Sequence, residues 1–514
     1  MTAAPLPDTP PVRVLGLPRL TAGFEDAERL GRKDHLLAHG SLPALSEDRL
    51  TALARDIALC GRGGAGFPLV RKLEAVVRHT RRTGTRPAVV VNGCEGEPAC
   101  RKDTVLLCRA PHLVLDGALL VAEALGARVL VAGVTKDTTE QSVRAALAER
   151  GLSDRRGRTL RARVVRAPER LVSGEASALI RAAEGGPALP PGRRTRAAES
   201  GLGGVPTLVS NAETFAQLAV AARLGAHRYG TTGTAEEPGT LLLTVSGAVP
   251  SPTVVEAPSG VPLSYVLQMC GAQPSLGGVL VGGYHGAWLD APAAYEATVS
   301  REALAARGGA LGAGAVLPVP DSTCPLGETL RIAYWLAAES AGQCGPCRLG
   351  LPALAGILAD TLAGGGREAL ESLRAAARGV RGRGACKHPD GAARFVLSAL
   401  TAFTDDLAAH VLGDGCGRDT VGMLPLPGPS GAMPSAGGTA GEVTGGPAGR
   451  ERLAVDWTLC EGHGLCAGLL PEAVRLDADG YPVIADGALA DRLRGRAQRA
   501  VRRCPALALR LEQA

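Results

Sequence analysis

Thirteen cysteines are spread unevenly over the 514 residues, and six of them are grouped as ligands would be. Cys344 and Cys347 precede Cys386. Cys460 and Cys466 bracket His463 in steps of three residues, and Cys504-Pro505 follows after 37 more. Each group requires a fold that brings distant stretches of chain around soft ligands. An iron–sulfur cluster takes thiolates from a tight loop whose amides face the sulfides, with a distant cysteine to close the cage. Zinc also takes Cys and His, but its sites favour paired Cys-x-x-Cys knuckles over ligands in steps of three. Disulfides are the weaker expectation. Residues Met1 to Pro5 show no basic patch ahead of an apolar core, so no export signal is expected and a reducing, cytoplasmic setting is.

At roughly 150 residues per domain the length suggests three or four domains. A hydrophobic content of 46% excludes global disorder. The net charge of +6 is small, and the arginine clusters at 78–86 and 155–166 lack aromatic neighbours for base stacking, which argues against nucleic-acid binding. The most apolar stretch, 117–134, is interrupted by Glu123 and Arg128, whereas a membrane span needs about 20 nearly uncharged residues. It reads instead as a helix, Ala118–Leu125, turning at Gly126 into a strand, Arg128–Val134, with no direct membrane insertion.

Residues 1–235 alternate β-branched runs with amphipathic stretches, the α/β pattern, and 236–320 read as short strands with one helix near Leu263–Cys270, a small α+β unit. Residues 321–413 are helical by period, in Leu326–Ala338, Leu349–Leu362 and Phe395–Leu412. Residues 414–450 are rich in Gly, Pro, Ser and Thr and are expected to be a flexible linker with ends about 30–36 Å apart. Patterned sequence resumes over 451–514.

Gly61-Arg62-Gly63-Gly64-Ala65-Gly66-Phe67-Pro68 is a glycine-rich loop of the kind that lets amides approach a phosphate. Taken alone it is a weak signal. Asn92-Gly-Cys-Glu95-Gly-Glu97 with Arg101-Lys-Asp103 could hold a ring edge and position a hydride donor, or be a polar turn.

Together with Ser173-Gly-Glu175-Ala-Ser177 and Thr207–Thr214, these segments resemble, in order and spacing, the flavin- and NADH-binding subunit of respiratory complex I and its relatives in hydrogenases and formate dehydrogenases, over about residues 50–412. The resemblance implies a Rossmann-like FMN domain, an α+β ubiquitin-like (SLBB) domain and a helical iron–sulfur bundle. It places Gly61, Arg62, Gly63, Gly64 and Lys72 at the FMN phosphate and ribityl chain. It places Asn92, Glu95, Gly174, Glu175, Asn211 and Thr214 around the ring, and Phe67 and Glu97 toward the nicotinamide nucleotide, with no side chain doing the redox chemistry. The chain departs from the family pattern at Cys94 (usually Asp), Ala176, Ser210, Leu171 and Arg193. Ala75 and Arg196 stand where aromatics would stack on adenine, contacts contributing about 0.5–1.5 kcal/mol each.

The loop Glu339–Gly350 is close to that family's cluster loop, with Cys344, Cys347 and Cys386 matching and Ala341 in the first ligand position. The site could hold a [3Fe-4S] cluster, a [4Fe-4S] cluster with an outside ligand, or none. Residues 451–514 resemble the small single-cluster ferredoxins of actinobacteria, including Val455-Asp456, Leu470–Val474 and Gly480–Ile484, an α+β ferredoxin-like domain. That resemblance implies a [3Fe-4S] cluster on Cys460, Cys466 and Cys504, or a [4Fe-4S] cluster with His463 as fourth ligand. The chain is thus expected to oxidise NAD(P)H through FMN and pass single electrons to its tethered ferredoxin, for a redox partner such as a monooxygenase or a partner subunit. The alternatives are an NADH-independent relay or accessory subunit, and a non-catalytic iron–sulfur sensor or scaffold.

Overall fold

The computed structural model describes residues 6–150, 159–192, 195–427, 451–460, 462–477, 480–484, 488–504 and 506–513. A three-residue strand, β1 (Val12–Val14), comes first. Helices then alternate with β2 (Ala88–Gly93), β3 (Val129–Val134), β4 (Arg161–Arg166) and β5 (Thr207–Asn211). Strands β2 to β5 form a parallel sheet in the order β4-β3-β2-β5. The Val-rich interiors of the central strands β2 and β3 are buried between helices, as a two-sided parallel sheet requires, while β4 is a half-exposed edge. Strands β3 and β4 lie on one side of β2 and β5 on the other. The carboxyl ends of β2 and β5 therefore flank a topological switch point, where open α/β sheets leave a crevice.

The helix–Gly–strand reading of the apolar stretch holds. The helix runs Pro111–Leu125, Gly126 closes it in the left-handed conformation, and β3 follows. It starts earlier than expected because Pro111 occupies a first-turn position where its missing N–H costs nothing. Gly117 within it meets the Phe215 backbone of the helix Ala212–Tyr229, a crossing too close for any Cβ.

A second, mixed sheet follows, from β6 (Thr240–Val245), β7 (Thr253–Pro258), β8 (Leu276–Val281), β9 (Ala287–Asp290) and β10 (Ala315–Pro320), in the order β1-β7-β6-β10-β8-β9. Strand β1 thus joins this sheet, Val12 opposite Val254, although residue 12 lies far outside 236–320. The buried Glu256 of β7 holds the chain that follows β1 by accepting from the amides of Arg19, Leu20 and Thr21.

Five helices come next: Pro325–Ala338, Leu351–Leu362, Gly366–Val380, His388–Ala402 and Thr404–Leu412. The expected continuous pattern Phe395–Leu412 is broken at Phe403 by a 90° bend. Residues 414–427, expected to begin the linker, are instead packed as a strap. The fully buried Glu328 accepts from the amides of Gly422, Met423 and Leu424 (2.6, 2.9 and 3.2 Å), Leu424 is buried, and the Tyr284 hydroxyl donates to the Pro425 carbonyl. Residues 428–450 of the expected linker, Arg193 and Pro505 lie outside the described residues.

At the C-terminus β11 (Glu451–Val455) pairs antiparallel with β14 (Leu509–Gln513), and β12 (Val474–Leu476) with β13 (Pro482–Ile484), around the helices Leu465–Leu469 and Arg494–Arg503. This is a ferredoxin-like arrangement with its own small core, including Leu470, Val474 and Ala497. Among the described residues no single helix is long and apolar enough to cross a membrane.

Candidate functional site

Four segments converge where β2 and β5 end at Asn92 and Asn211. The glycine loop leads into the helix Leu69–Thr83, its neck closed by the Gly61 amide donating to the Phe67 carbonyl (2.9 Å). Gly64 and Gly66 have φ of +105° and +60°, which side chains disfavour, and a Cβ on Gly63 would sit 3.2 Å from that of Asn211. The amides of Gly63, Gly64, Ala65 and Gly66 have no protein acceptor among the described residues. Such a row of free N–H groups suits a phosphate, so the loop fits the group it is expected to hold.

The polar side chains around it are positioned by helix capping. Asn211 caps Ala212–Tyr229 by accepting from the Glu213 amide (3.0 Å), while its Nδ2 donates to Asp103 (2.6 Å). Glu175 caps Ala176–Ala183, accepting from the Ser177 and Ala178 amides (2.9 and 3.0 Å). Glu95 accepts from the Asp103 and Thr104 amides (3.1 and 2.9 Å) at the start of Lys102–Arg109. Asn92 Nδ2 donates to the Gly174 carbonyl (2.7 Å), tying the strand end to the 173–177 segment. The Thr214 hydroxyl accepts from the Arg62 amide (2.9 Å), and Lys72 donates to the Val209 carbonyl (3.0 Å), with its pKa lowered by burial.

Arg62 behaves differently from the expectation. Its buried guanidinium is paired with Glu237 and lies 4.0 Å from Glu213, so it is not free for a phosphate. A buried cation needs its carboxylates more than a solvated ligand does. Arg301 reaches the same place from beyond β9, donating to the Gly61 carbonyl (2.9 Å). No local pattern marks Glu237 or Arg301 in the sequence. Lys102 is almost fully buried, 3.0 Å from Asp103 and 2.9 Å from Glu213. Burial alone would lower its pKa, but these carboxylates outweigh it and keep the ammonium charged.

Glu97 is buried, and its Oε2 accepts from the Tyr284 amide (3.1 Å) while Oε1 has no partner among the described residues. Burial pushes its carboxyl up to about 7. Cys94, in the family's Asp position, has its thiol pushed up to about 12 by burial and so contributes no charge. Phe67 stays 37% exposed on the glycine loop.

The structure brings Cys344, Cys347 and Cys386 together. Cys344 faces the Ala385 and Cys347 amides, Cys347 the Gly342 amide and Cys386 the His388 amide, the setting that an iron–sulfur cluster's thiolates take. The residues fit a cluster with three protein ligands, since Ala341 offers none. Cys324 does not replace it. It caps the far end of Pro325–Ala338, fourteen residues or about 21 Å of helix away. Glu175 lies close enough to Cys386 to act on it electrostatically, which sets the flavin-side segment beside the cluster loop. In the C-terminal module Cys466 lies near both Cys460 and Cys504, and the Ala508 amide donates to Cys504 Sγ (3.2 Å). His463 is exposed between Gly462 and Gly464, both at φ +69°.

Residues 54–220 match the family described as the Nuo51 FMN-binding domain, and 328–410 the NADH-ubiquinone oxidoreductase-F iron-sulfur binding region. The F subunit of the NADH-quinone oxidoreductase of Streptomyces coelicolor is 31% identical over 395 residues, 73% of this chain and 86% of that protein. The chain belongs to the family of NADH-quinone oxidoreductase F subunits. A second relative of that type, in Rhizobium meliloti, is 29% identical over 72% of this chain and 90% of its own length. The crystal structure of an NAD+-reducing [NiFe]-hydrogenase in the H2-reduced state superposes with a TM-score of 0.66 at 28% identity, covering 78% of this chain and 68% of that one. Residues 453–511 match a 4Fe-4S single cluster domain. This member of the F-subunit family is therefore an FMN- and iron–sulfur-dependent electron-transfer oxidoreductase that carries a ferredoxin in the same chain.

The two cluster-bearing parts touch. Leu507, three residues beyond Cys504, lies directly on Gly345 between Cys344 and Cys347. A Cβ on Gly192 would meet the Thr458 hydroxyl at 3.0 Å and Ala385 at 3.3 Å, and Asp456 acts electrostatically on Cys344. A side chain at position 345 would leave no room for Leu507.

Proposed function

We propose that this chain takes electrons from NADH at the Asn92–Asn211 pocket and delivers them, through the Cys344/Cys347/Cys386 centre, to the cluster on Cys460, Cys466 and Cys504. The observation that carries this order is the seat of Leu507 on Gly345, which puts the ferredoxin's cluster loop against the loop of the preceding centre. Bound FMN supplies what no side chain can, acceptance of a hydride and release of single electrons. The chain supplies position. The free amides of Gly63 to Gly66 hold the phosphate, with Gly61 closing the loop's neck and Lys72 beside it. Asn92, Glu95, Gly174, Glu175, Asn211 and Thr214 frame the ring, and Phe67 and Glu97 border the nicotinamide.

The mixed sheet serves as the SLBB-type unit and the five helices as the iron–sulfur bundle that hold these loops in register. The ferredoxin centre uses three cysteines, or those and His463. A partner subunit or a redox enzyme such as a monooxygenase takes the electrons in a cytoplasmic setting. Stopped-flow reduction by NADH tests the docked order. Gly345→Val and, away from the cluster loop, Thr458→Arg should each leave flavin reduction unchanged and slow reduction of the ferredoxin cluster about tenfold or more. Unchanged ferredoxin reduction in both variants would contradict it.

A further inference from the structure

We infer that Cys324, His410 and Cys416 form a zinc site, distinct from the iron–sulfur centres, that fastens the 414–427 strap to the helical region. Their ligand atoms all lie within 4.8 Å of one another, and Cys324 Sγ is 3.4 Å from His410 Nε2. With Zn–S near 2.3 Å and Zn–N near 2.05 Å, a tetrahedral S···N edge is about 3.6 Å and an S···S edge about 3.8 Å, so Cys324 and His410 need a shift of tenths of an ångström and Cys416 at most about 1 Å to seat the ion.

His410 Nδ1 is 3.0 Å from the Leu362 carbonyl. A carbonyl only accepts, so Nδ1 carries the proton and Nε2 presents its lone pair toward Cys324, the orientation that a carbonyl behind the ring imposes on metal-bound imidazoles. Cys324 is buried at the N-cap of Pro325–Ala338, where its sulfur accepts from the Gly327 amide (3.2 Å), a hydrogen bond that a metal-bound thiolate would keep. Two thiolates and a neutral imidazole leave no net charge on a bound zinc ion, and so soft a set disfavours magnesium or calcium. Cys416 and His410 are half-buried, so water can complete the coordination.

The three ligands come from a helix start, the helix Thr404–Leu412 and the strap, pieces otherwise joined by the Arg418–Asp406 ion pair and by hydrogen bonds. The Asp419 carbonyl accepts from the Cys324 amide and the Thr323 hydroxyl, both at 3.0 Å. Zinc there fixes the root of the chain that leads to the ferredoxin.

The test counts metals in the full-length protein with its iron–sulfur centres in place. One zinc per chain is expected, retained in Cys344→Ser and lost in Cys416→Ser and His410→Ala. Protein loaded with Co(II) should show the ligand-field bands of tetrahedral thiolate-bound cobalt, absent in Cys416→Ser. Should those variants fail to fold, alkylation of the unaltered protein decides: Cys416 is expected to resist iodoacetamide until a chelator removes zinc. Immediate alkylation without zinc would overturn the site. So would zinc that follows Cys344 rather than Cys416, or an intact mass lighter by two hydrogens with a Cys324–Cys416 peptide, the mark of a disulfide.

Discussion

Glu97 and Asp116 show how burial alone does not decide a carboxyl's charge. Burial pushes Glu97 up to about 7 against the pull of the Tyr284 and Ala99 amides. A raised carboxyl stabilises the fold fully below its ordinary range, and that contribution is lost as pH rises through about 7. The negative charge that appears over the same window repels an anionic nucleotide. The KM for NADH should therefore rise between about pH 6 and pH 8 and stay flat in Glu97→Gln; the same slope in both proteins would contradict this. Burial raises Asp116 as well, but the hydrogen bond from His35 (2.7 Å) and the charge of Arg150 (2.7 Å) outweigh it and hold the carboxylate well below its usual range. Asp116→Ala leaves His35, Arg150 and Arg223 without their shared carboxylate and should cost about 3–5 kcal/mol by chemical denaturation. A loss below about 1 kcal/mol would mean the cations find other partners. Glu97 could be singled out in the sequence because it sits in a dense polar segment. Asp116 could not, since a lone Asp in an apolar helix has no spacing that announces its partners at 35, 150 and 223.

Elements with a strong period were legible. The helix, glycine turn and strand of 111–134 follow from apolar spacing and one residue that tolerates the left-handed conformation. Two elements were not. Strand β1 has three residues, too few for alternation to show, and gains its place from β7 and Glu256. The strap has the composition of a linker, and what orders it lies on other elements: chiefly Glu328, paired with Arg331 and accepting three strap amides, with Asp406 paired to Arg418. Glu328→Ala should free the strap at a cost of about 3–5 kcal/mol. Limited proteolysis would then cut within 414–427 far faster than in the unaltered protein, and an unchanged digestion pattern would show that the apolar contacts of Leu424 suffice.

At the scale of the molecule, motif order in the sequence pointed to the flavin pocket and the two cluster loops, because glycines and thiols recur where backbone and metal chemistry demand them. It could not reveal how the loops meet. A tether of linker composition implies a ferredoxin diffusing within reach, whereas Leu507 seats on Gly345 and Thr458 beside Gly192, contacts between residues more than 160 positions apart. Nor could it show that Arg62 is spent on Glu237, a pairing between the glycine loop and the turn before β6. On the proposed path, NADH electrons pass through FMN to the ferredoxin of the same chain. An anaerobic titration with NADH, followed by visible absorbance and EPR, tests it most directly. Flavin bleaching accompanied by a reduced-cluster signal that disappears in Cys466→Ser is the predicted result. A spectrum unmoved by NADH but bleached by dithionite would contradict it and make the chain a relay fed from another donor.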